Sequence, residues 1–173
     1  MFHIGDRVIY GGMGVCDVAD ISTLQLDGVP RDRLYYILRP VGKAESFIYA
    51  PVENTRVVMR PILTREQALG LIAEIPLLEP LPEGPDKTRE TLYRDCIKSC
   101  DCRQLIRIIK TLWLRGRSRL TAGKKLSSLD ERYLHQAEEN LYAELGLALD
   151  MEKDAVGPYI ARRTEALASP AEN

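Results

Sequence analysis

The sequence predicts an α+β protein in which a small N-terminal β-barrel of SH3 or Tudor type precedes an all-α helical bundle. Short β-branched and aromatic runs, separated by glycine-containing turns, fill the first 60 residues. From Thr64 onward the apolar residues recur at helical spacing. Four prolines between positions 76 and 85 interrupt this helical pattern. Together, the three observations predict a β-rich N-terminal segment followed by a helical segment, which is interrupted at residues 76–85.

Five short strands are predicted in the first part. Residues 7–10 are followed by Gly11-Gly12-Met13-Gly14, whose glycines tolerate the positive φ of a tight reversal. Further strands are predicted at residues 15–22, 32–39, 46–50 and 56–59. Turns at intervals of about 8 to 12 residues are typical of a small barrel.

The first two predicted helices flank the prolines. Thr64 and Gln67 have the spacing of a capping box, and this helix should stop near Pro76. Residues 76–85 should form an extended, stiff linker. A second helix is predicted from about residue 86 to 99. The predicted division is therefore a barrel at 1–62, a helix with a proline-rich linker at 63–85, and a helical domain at 86–167.

The later helices are marked by caps and apolar faces. Asp101 and Gln104 fit another capping box, opening a helix with one apolar face (Leu105, Ile108, Ile109 and Leu112). Residues 116–123 are expected to be a basic connection. Ser127 or Ser128 should cap the next helix, which carries Leu134, Ala137, Leu141 and Leu145. A last helix after Asp150 is expected to be started or interrupted by Gly157-Pro158, with a frayed tail at 168–173.

The net charge of −1 conceals a basic block. Residues 86–135 hold 13 basic and 6 acidic side chains, a net charge of +7, and residues 102–129 contain no carboxylate. Such a stretch favours binding of a polyanion over a merely solvated helix face. No recognition pattern for bases follows, so contact with DNA should be largely independent of sequence. The candidate DNA-binding residues are Arg89, Arg103, Arg107, Lys110, Arg115, Arg117, Arg119, Lys124 and Lys125.

Several function classes find little support in the sequence. No apolar run reaches the roughly 18 to 20 residues of a membrane span, so the protein is expected in the cytoplasm. The spacing of Cys96, Cys100 and Cys102 lacks the C-x2-C pattern of zinc sites, and the thiols should pack as apolar groups. Cys102 with His135 is a weak nucleophile pair. No catalytic, metal or cofactor site is predicted, and Trp113, with its apolar neighbours, is expected to have a core or domain-packing role rather than an exposed stacking role.

The motifs along the chain resemble those of the CarD/CdnL family of bacterial transcription regulators, whose N-terminal module is shared with transcription-repair coupling factor. The resemblance covers nearly the whole chain. It is carried by the segments at 4–10, 14–15, 35–38, 48–51, 99–101, 108–115, 120–124 and 137–145. Their order and spacing make the combination more specific than any segment alone.

The resemblance implies a non-enzymatic regulator whose Tudor-like barrel adds a strand to the β subunit of RNA polymerase and whose helical domain contacts promoter DNA. The strand with an expected free edge supplies the polymerase contact through Phe47, Ile48, Tyr49, Ala50 and Pro51. One departure stands out: family members place a wedge tryptophan where residues 81–87 here carry no aromatic side chain. An alternative function is a protein-interaction adaptor on RNA polymerase without DNA contact.

Overall fold

The computed structural model describes residues 1–168, which fold as two compact units. The first unit spans Met1–Ile62 and the second begins at Leu63. The helix predicted within 63–85 therefore belongs to the helical unit, because its apolar side chains Ala68, Leu71 and Ile72 are buried in that unit's core. The boundary lies before this helix and not in the proline-rich segment.

The first unit is one antiparallel sheet of five strands. Its order is β4-β3-β2-β1-β5, with β1 Arg7–Tyr10, β2 Val15–Thr23, β3 Leu34–Pro40, β4 Ile48–Pro51 and β5 Met59–Pro61. Within residues 1–168, β4 and β5 are the two edges and do not pair with each other. The sheet is therefore open, and its hydrogen bonds do not close the predicted barrel. β5 has only three residues, and its Pro61 has no amide hydrogen for a further strand.

The core of the first unit lies on one face of this sheet. Its buried side chains are Val8, Cys16, Val18, Tyr36, Leu38 and Ala50. The predicted reversal after β1 is a 3-10 turn, Gly11–Met13. Gly11 has a φ of 49°, and a Cβ at this position would lie 2.8 Å from Cγ1 of Val57. Both facts favour glycine at the reversal.

The described part of the second unit, residues 63–168, forms five α-helices, and the predicted cap of the first one is confirmed. They are α1 Arg65–Glu74, α2 Asp86–Lys98, α3 Cys102–Thr121, α4 Ser128–Leu149 and α5 Lys153–Ala168. The Gln67 amide donates to Oγ1 of Thr64 at 3.1 Å, and the Thr64 amide donates to Oε1 of Gln67 at 2.9 Å. This reciprocal capping box satisfies two backbone donors at the start of α1.

The N-terminal cap of α3 is only half of the predicted box. The Asp101 carboxylate accepts from the Arg103 amide at 2.9 Å. The Gln104 side chain does not reach back to the cap; its Oε1 instead accepts from the thiol of Cys96 at 3.6 Å and from Arg107 at 3.2 Å. The Gln104 oxygen is therefore occupied by two other donors, which explains the missing second bond of the capping box.

Two helix boundaries differ from those predicted. Residues 116–121 are not a connection but the last turns of α3, where Gly116 leaves space for Leu126 to pack against the helix. The last helix begins at Lys153 and continues through Pro158, with Gly157 beside the ring of Tyr142. Of the predicted tail, residues 169–173 lie outside the described residues.

The helical core combines residues from all five helices. On α3 the predicted apolar face is confirmed, since Leu105, Ile108 and Leu112 are buried and Ile109 packs against them. On α4, Ala137, Leu141 and Leu145 are buried. No helix in residues 1–168 is long and apolar enough to cross a membrane.

Candidate functional site

The five residues predicted to bind a partner strand lie at the β4 edge of the sheet. Phe47 and Tyr49 are about half exposed, whereas Ala50 is buried. Ile48 packs against the core of the first unit. β4 pairs with β3 on one side only, with Tyr49 opposite Ile37. The edge therefore presents two exposed aromatic side chains along an unpaired backbone.

The alternation of hydrogen bonds along β4 shows which amide points outward. The Val52 amide donates inward to the Leu34 carbonyl of β3 at 3.0 Å. In an antiparallel pair, hydrogen-bonding positions alternate, so residues 48 and 50 also bond inward and residue 49 faces out. Pro51 has no amide hydrogen. Tyr49 thus supplies the outward N–H of β4.

Arg89 and Arg115 are bound to a buried carboxylate. Asp130 is fully buried, and its carboxylate accepts from Nη2 of Arg89 at 2.8 Å and from Nε of Arg115 at 2.9 Å. Arg89 is 5% exposed and also donates to Asp86 at 2.6 Å. Burial disfavours its charge, but the hydrogen bonds to Asp130 outweigh burial and raise the pKa of Arg89.

This placement changes the predicted set of DNA contacts. A guanidinium that is 5% exposed and bound by two carboxylates cannot also reach a phosphate without breaking those bonds. Arg89 is therefore removed from the candidate surface. Arg115 remains partly exposed, with a side-chain exposure of 33%, but its charge is compensated by Asp130.

Arg103 and Arg107 also bind their own chain. Arg103 forms two hydrogen bonds to the Glu74 carboxylate of α1, at 2.7 and 2.8 Å. Arg107 donates to the Glu79 carbonyl at 2.9 Å. Both contacts connect α3 to the region around the proline-rich segment, so these side chains are bonded to their own chain rather than lying free for phosphate.

Lys110 binds the proline-rich segment that was predicted to be an extended linker. Its ammonium group donates to the carbonyls of Ile75 and Leu78 at 2.5 and 2.7 Å. At the next residue of the same helix, the Thr111 hydroxyl accepts from the Leu81 amide at 2.8 Å. Leu81 itself is 4% exposed. The proline-rich segment is thus bound along α3 and is not a free spacer.

The remaining candidates cluster where α3 ends. Arg117, Lys124 and Lys125 are exposed, and their side chains have no hydrogen bond or ion pair to the part of the chain that the structure describes. Arg119 uses Nε to bind the Lys125 carbonyl at 2.6 Å, leaving its terminal nitrogens for other partners. We refer to Arg117, Arg119, Lys124 and Lys125 as the basic end of α3.

The geometry of this helix end positions the two lysines. Gly123 has a φ of 73°, the Lys124 amide donates to the Arg119 carbonyl at 2.8 Å, and the Gly123 amide donates to Leu120. This pair of bonds is a Schellman motif, which stops the helix and turns the chain. Lys124 and Lys125 are consequently held beside the last turn of α3 and add to the charge of Arg117 and Arg119.

Trp113 is not a core residue. It is 60% exposed on α3, whereas the preceding Leu112 is fully buried. Its ring nitrogen donates to Oε1 of Glu138 on α4 at 3.4 Å. The prediction from its apolar neighbours was wrong because one residue along a helix turns the side chain by about 100°.

The cysteines are buried as free thiols, as expected. Cys16, Cys96, Cys100 and Cys102 are between 0% and 6% exposed. The Cys102 thiol contacts the buried Glu144 carboxylate at 3.1 Å, and this carboxylate also accepts from the Leu63 amide at 2.9 Å. Within residues 1–168 no three side chains of the metal-ligating types gather in one place.

A cavity of about 320 Å³, which was not predicted, lies between the proline-rich segment and the second half of α3. Arg89, Tyr93, Leu114 and Ser118 are among the residues that line it. Arg89 and Tyr93 are four residues apart on α2, the spacing that places both on one helix face. This spacing is the one feature of the sequence that indicates that the polar groups of Arg89 and Tyr93 lie close together.

Two family models match the chain. Residues 2–63 match the CarD-like/TRCF RID domain, and residues 82–161 match the CarD C-terminal domain. The chain belongs to the CarD-like family. A comparison with curated proteins gives no match.

Membership in the CarD-like family makes this a transcription-associated protein from a family of non-enzymatic regulators. The first model coincides with the sheet unit, and the second covers α2, α3, α4 and part of α5. The segment 64–81 lies between the two matches. It contains α1 and the backbone groups that Lys110 and Thr111 bind.

Proposed function

We propose that this CarD-like protein is a transcription regulator that binds the β subunit of RNA polymerase through edge strand β4 and promoter DNA through the basic end of α3. The single observation that carries the polymerase contact is the unpaired outer edge of β4. The DNA contact rests on the exposed charges at Arg117, Lys124 and Lys125 and on the partly exposed Arg119. Both contacts are properties of separate units, so each can be tested alone.

Strand addition to β4 suits the chemistry of this edge. An added strand takes its affinity from main-chain hydrogen bonds, and the outward amide and carbonyl of Tyr49 are available for them. The exposed rings of Phe47 and Tyr49 can cover the side chains of the incoming strand. This mode requires a free edge and not a closed barrel, so the open sheet of the first unit is compatible with an SH3- or Tudor-like role.

DNA contact at the basic end of α3 would be electrostatic. Four cationic side chains lie within nine residues of sequence around a fixed helix end. Lys and Arg contacts to phosphates position a protein on DNA without reading sequence. The proposed binding is therefore weakly selective and falls steeply with salt.

The polymerase contact is tested with a variant that lacks the outward backbone N–H of β4. Tyr49→Pro eliminates the outward N–H while leaving the inward bonds of residues 48 and 50, a substitution that edge strands tolerate. Tyr49→Thr removes the ring but keeps the amide, and it is the matched control. Tyr49→Pro should abolish copurification of the polymerase β subunit, whereas Tyr49→Thr should retain it. Equal retention by both variants would refute strand addition at β4.

The second candidate function is an adaptor on RNA polymerase that does not touch DNA. It is favoured by the internal bonds that Arg89, Arg103, Arg107, Lys110 and Arg115 make, which remove much of the apparent basic block. The absence of an aromatic residue in 81–87 favours it as well. Titration of the full chain with duplex DNA at low salt separates the two: saturable binding supports the regulator, and none supports the adaptor.

A further inference from the structure

The apolar side of α3 continues beyond the part of the helix that the bundle covers. In the first half of α3, Ile106 is 3% exposed and Ile109 packs against the helical core. Trp113 lies one heptad after Ile106, and Leu120 lies one heptad after Trp113, so these side chains share one side of the helix. Trp113 and Leu120 are nevertheless 60% and 68% exposed. We refer to Trp113 and Leu120 as the apolar stripe of α3.

A basic side chain borders the apolar stripe on one side. Arg117 lies between the two stripe residues in sequence, and the rotation of about 100° per residue turns it by about 40° from Trp113 around the helix axis. Its side chain is exposed, and its guanidinium is one of the charges that the described residues leave uncompensated. Positive charge therefore runs along this border toward the basic end of α3.

Acidic side chains of α4 border the stripe on the other side. Gly116, against which Leu126 packs just before α4 begins, is turned by about 60° from Trp113 in the direction opposite to Arg117. α4 then runs back along α3, and its Glu138 accepts from the ring nitrogen of Trp113 at 3.4 Å. Glu131 lies one heptad before Glu138, so it shares this side of α4, and it is exposed.

The order of charges restricts what can cover the stripe. A polyanion or an acidic peptide would meet the carboxylates of α4, and a basic partner would meet Arg117. The surface fits a partner with an apolar centre and the same two charged borders in reversed order. A second copy of this chain, rotated by 180° about an axis parallel to α3, presents that order, since its basic border then faces the acidic border of the first copy. Rotation about an axis across the helix would place like charges together.

We propose that the apolar stripe is the contact surface of a homodimer in which the two copies of α3 lie parallel about a twofold axis along the stripe. Each Trp113 then contacts its counterpart, as does each Leu120, and Arg117 of either copy pairs with Glu138 of the other. The carboxylate of Glu138 has acceptor sites beyond the one that Trp113 uses. This inference goes beyond the proposed function, because dimerisation requires neither polymerase nor DNA.

The dimer should be weak and dependent on concentration. The contact surface involves fewer residues than the roughly 20 to 30 a side of a standard interface, although tryptophan and arginine are the residue types that dominate interface energetics. We expect a dissociation constant between about 10 μM and 1 mM. The two basic ends of α3 lie at the same end of this dimer and repel each other, so the test belongs at about 0.15 M salt, where exposed charges are screened beyond roughly 8 Å.

The test follows the full chain as its concentration rises from about 10 μM to 1 mM. The weight-average mass from analytical ultracentrifugation should increase toward that of a dimer. Trp113 is the single tryptophan of the sequence, so intrinsic tryptophan fluorescence reports on this position alone. Its emission should shift to shorter wavelength over the same range, because the ring leaves water on dimerisation.

Two leucine variants locate the contact on the stripe. Leu120→Glu places a charge in the apolar centre and should abolish both the rise in mass and the shift in emission. Leu114→Glu makes the same substitution on the same helix, at a position that is 54% exposed but turned by about 100° from Trp113. This matched control should retain both changes.

A pair of charge-reversal variants tests that the partner is a second copy in the parallel arrangement. Arg117→Glu and Glu138→Lys each place like charges opposite each other, so neither variant should associate with itself. An equimolar mixture should associate, because a mixed dimer contains one native and one reversed pair, and both are attractive. Circular dichroism of each variant checks that the helices remain folded.

Each contrary result has a definite meaning. A constant mass and a constant emission of the wild type up to about 1 mM would overturn the homodimer. Self-association of the wild type without association in the mixture would overturn the parallel pairing of Arg117 with Glu138. A shift in emission that requires duplex DNA, with one protein per site, would assign the stripe to nucleic acid and overturn the second copy. Leu120→Glu should still copurify the polymerase β subunit, so failure of the dimer and failure of the proposed function are separate outcomes.

Discussion

The Arg89 guanidinium and the Asp130 carboxylate form an ion pair 2.8 Å long between two buried side chains. The pair joins α2 to α4 across 41 residues of sequence. Arg115 of α3 binds the second oxygen of the same carboxylate. Asp130 therefore holds three helices together through two arginines that the sequence suggested as DNA contacts.

Removing the Asp130 carboxylate should destabilise the helical unit strongly. Asp130→Ala leaves the buried Arg89 without its main counter-charge, a change that costs about 3 to 5 kcal/mol in comparable buried pairs. Asp130→Asn, which keeps an acceptor oxygen, should cost less. The measurement is the urea dependence of unfolding. As a control, Glu74→Gln interrupts the exposed pair with Arg103 and should leave the midpoint nearly unchanged.

Two double variants of equal charge should differ in DNA binding. Lys124→Gln with Lys125→Gln removes two free cations, so the slope of log K against log salt should fall by up to about 1.8. Arg103→Gln with Arg107→Gln removes two cations that bind the chain itself, and the slope should stay close to that of the wild type. Equal changes in both would mean that net charge alone controls binding.

Local features of the fold could be predicted from the sequence because they depend on neighbouring residues. The Thr64–Gln67 capping box and the apolar face of α3 follow from spacings of three and four residues. The exposure of Trp113 could also have been predicted from helical periodicity, because the preceding residue, Leu112, lies on the buried face. The apolar character of its neighbours outweighed that signal in the prediction.

The candidate site was less predictable because its partners are distant in sequence. A run without carboxylates indicates charge density, but it does not show which cations find acceptors elsewhere. Lys110 binds carbonyls 32 and 35 residues away. The same contacts bind the proline-rich segment to α3. The proline content of the segment predicted a free linker because composition does not show such contacts with residues distant in sequence.

Ionisation of the buried Cys16 thiol should destabilise the sheet unit at alkaline pH. Burial, and then the nearby Asp17 charge, raise the pKa of Cys16 from 9.0 to about 11. The folded state thus retains the proton more tightly than the unfolded state, so its contribution is complete below pH 9 and is lost as the pH rises through 11. Unfolding in urea at several pH values measures this loss.

The control for the alkaline effect is Cys16→Ala. This variant should be less stable at neutral pH, because it shortens a buried side chain, yet its stability should decline less between pH 9 and 11. Parallel declines in both proteins would contradict the assignment to Cys16. The native thiol should also resist alkylation at pH 8, whereas urea-unfolded protein should react at all four cysteines.

Replacing Lys110 should free the proline-rich segment. Lys110→Met preserves the apolar stem but leaves the Ile75 and Leu78 carbonyls without their charged donor, at a cost of about 1.5 to 3 kcal/mol for hydrogen bonds of this type. A protease that cleaves after glutamate should then cut at Glu79 or Glu83 faster than in the wild type. Lys98→Met, at an exposed position of α2, is the matched control. Unchanged cleavage would show that the prolines alone fix the segment.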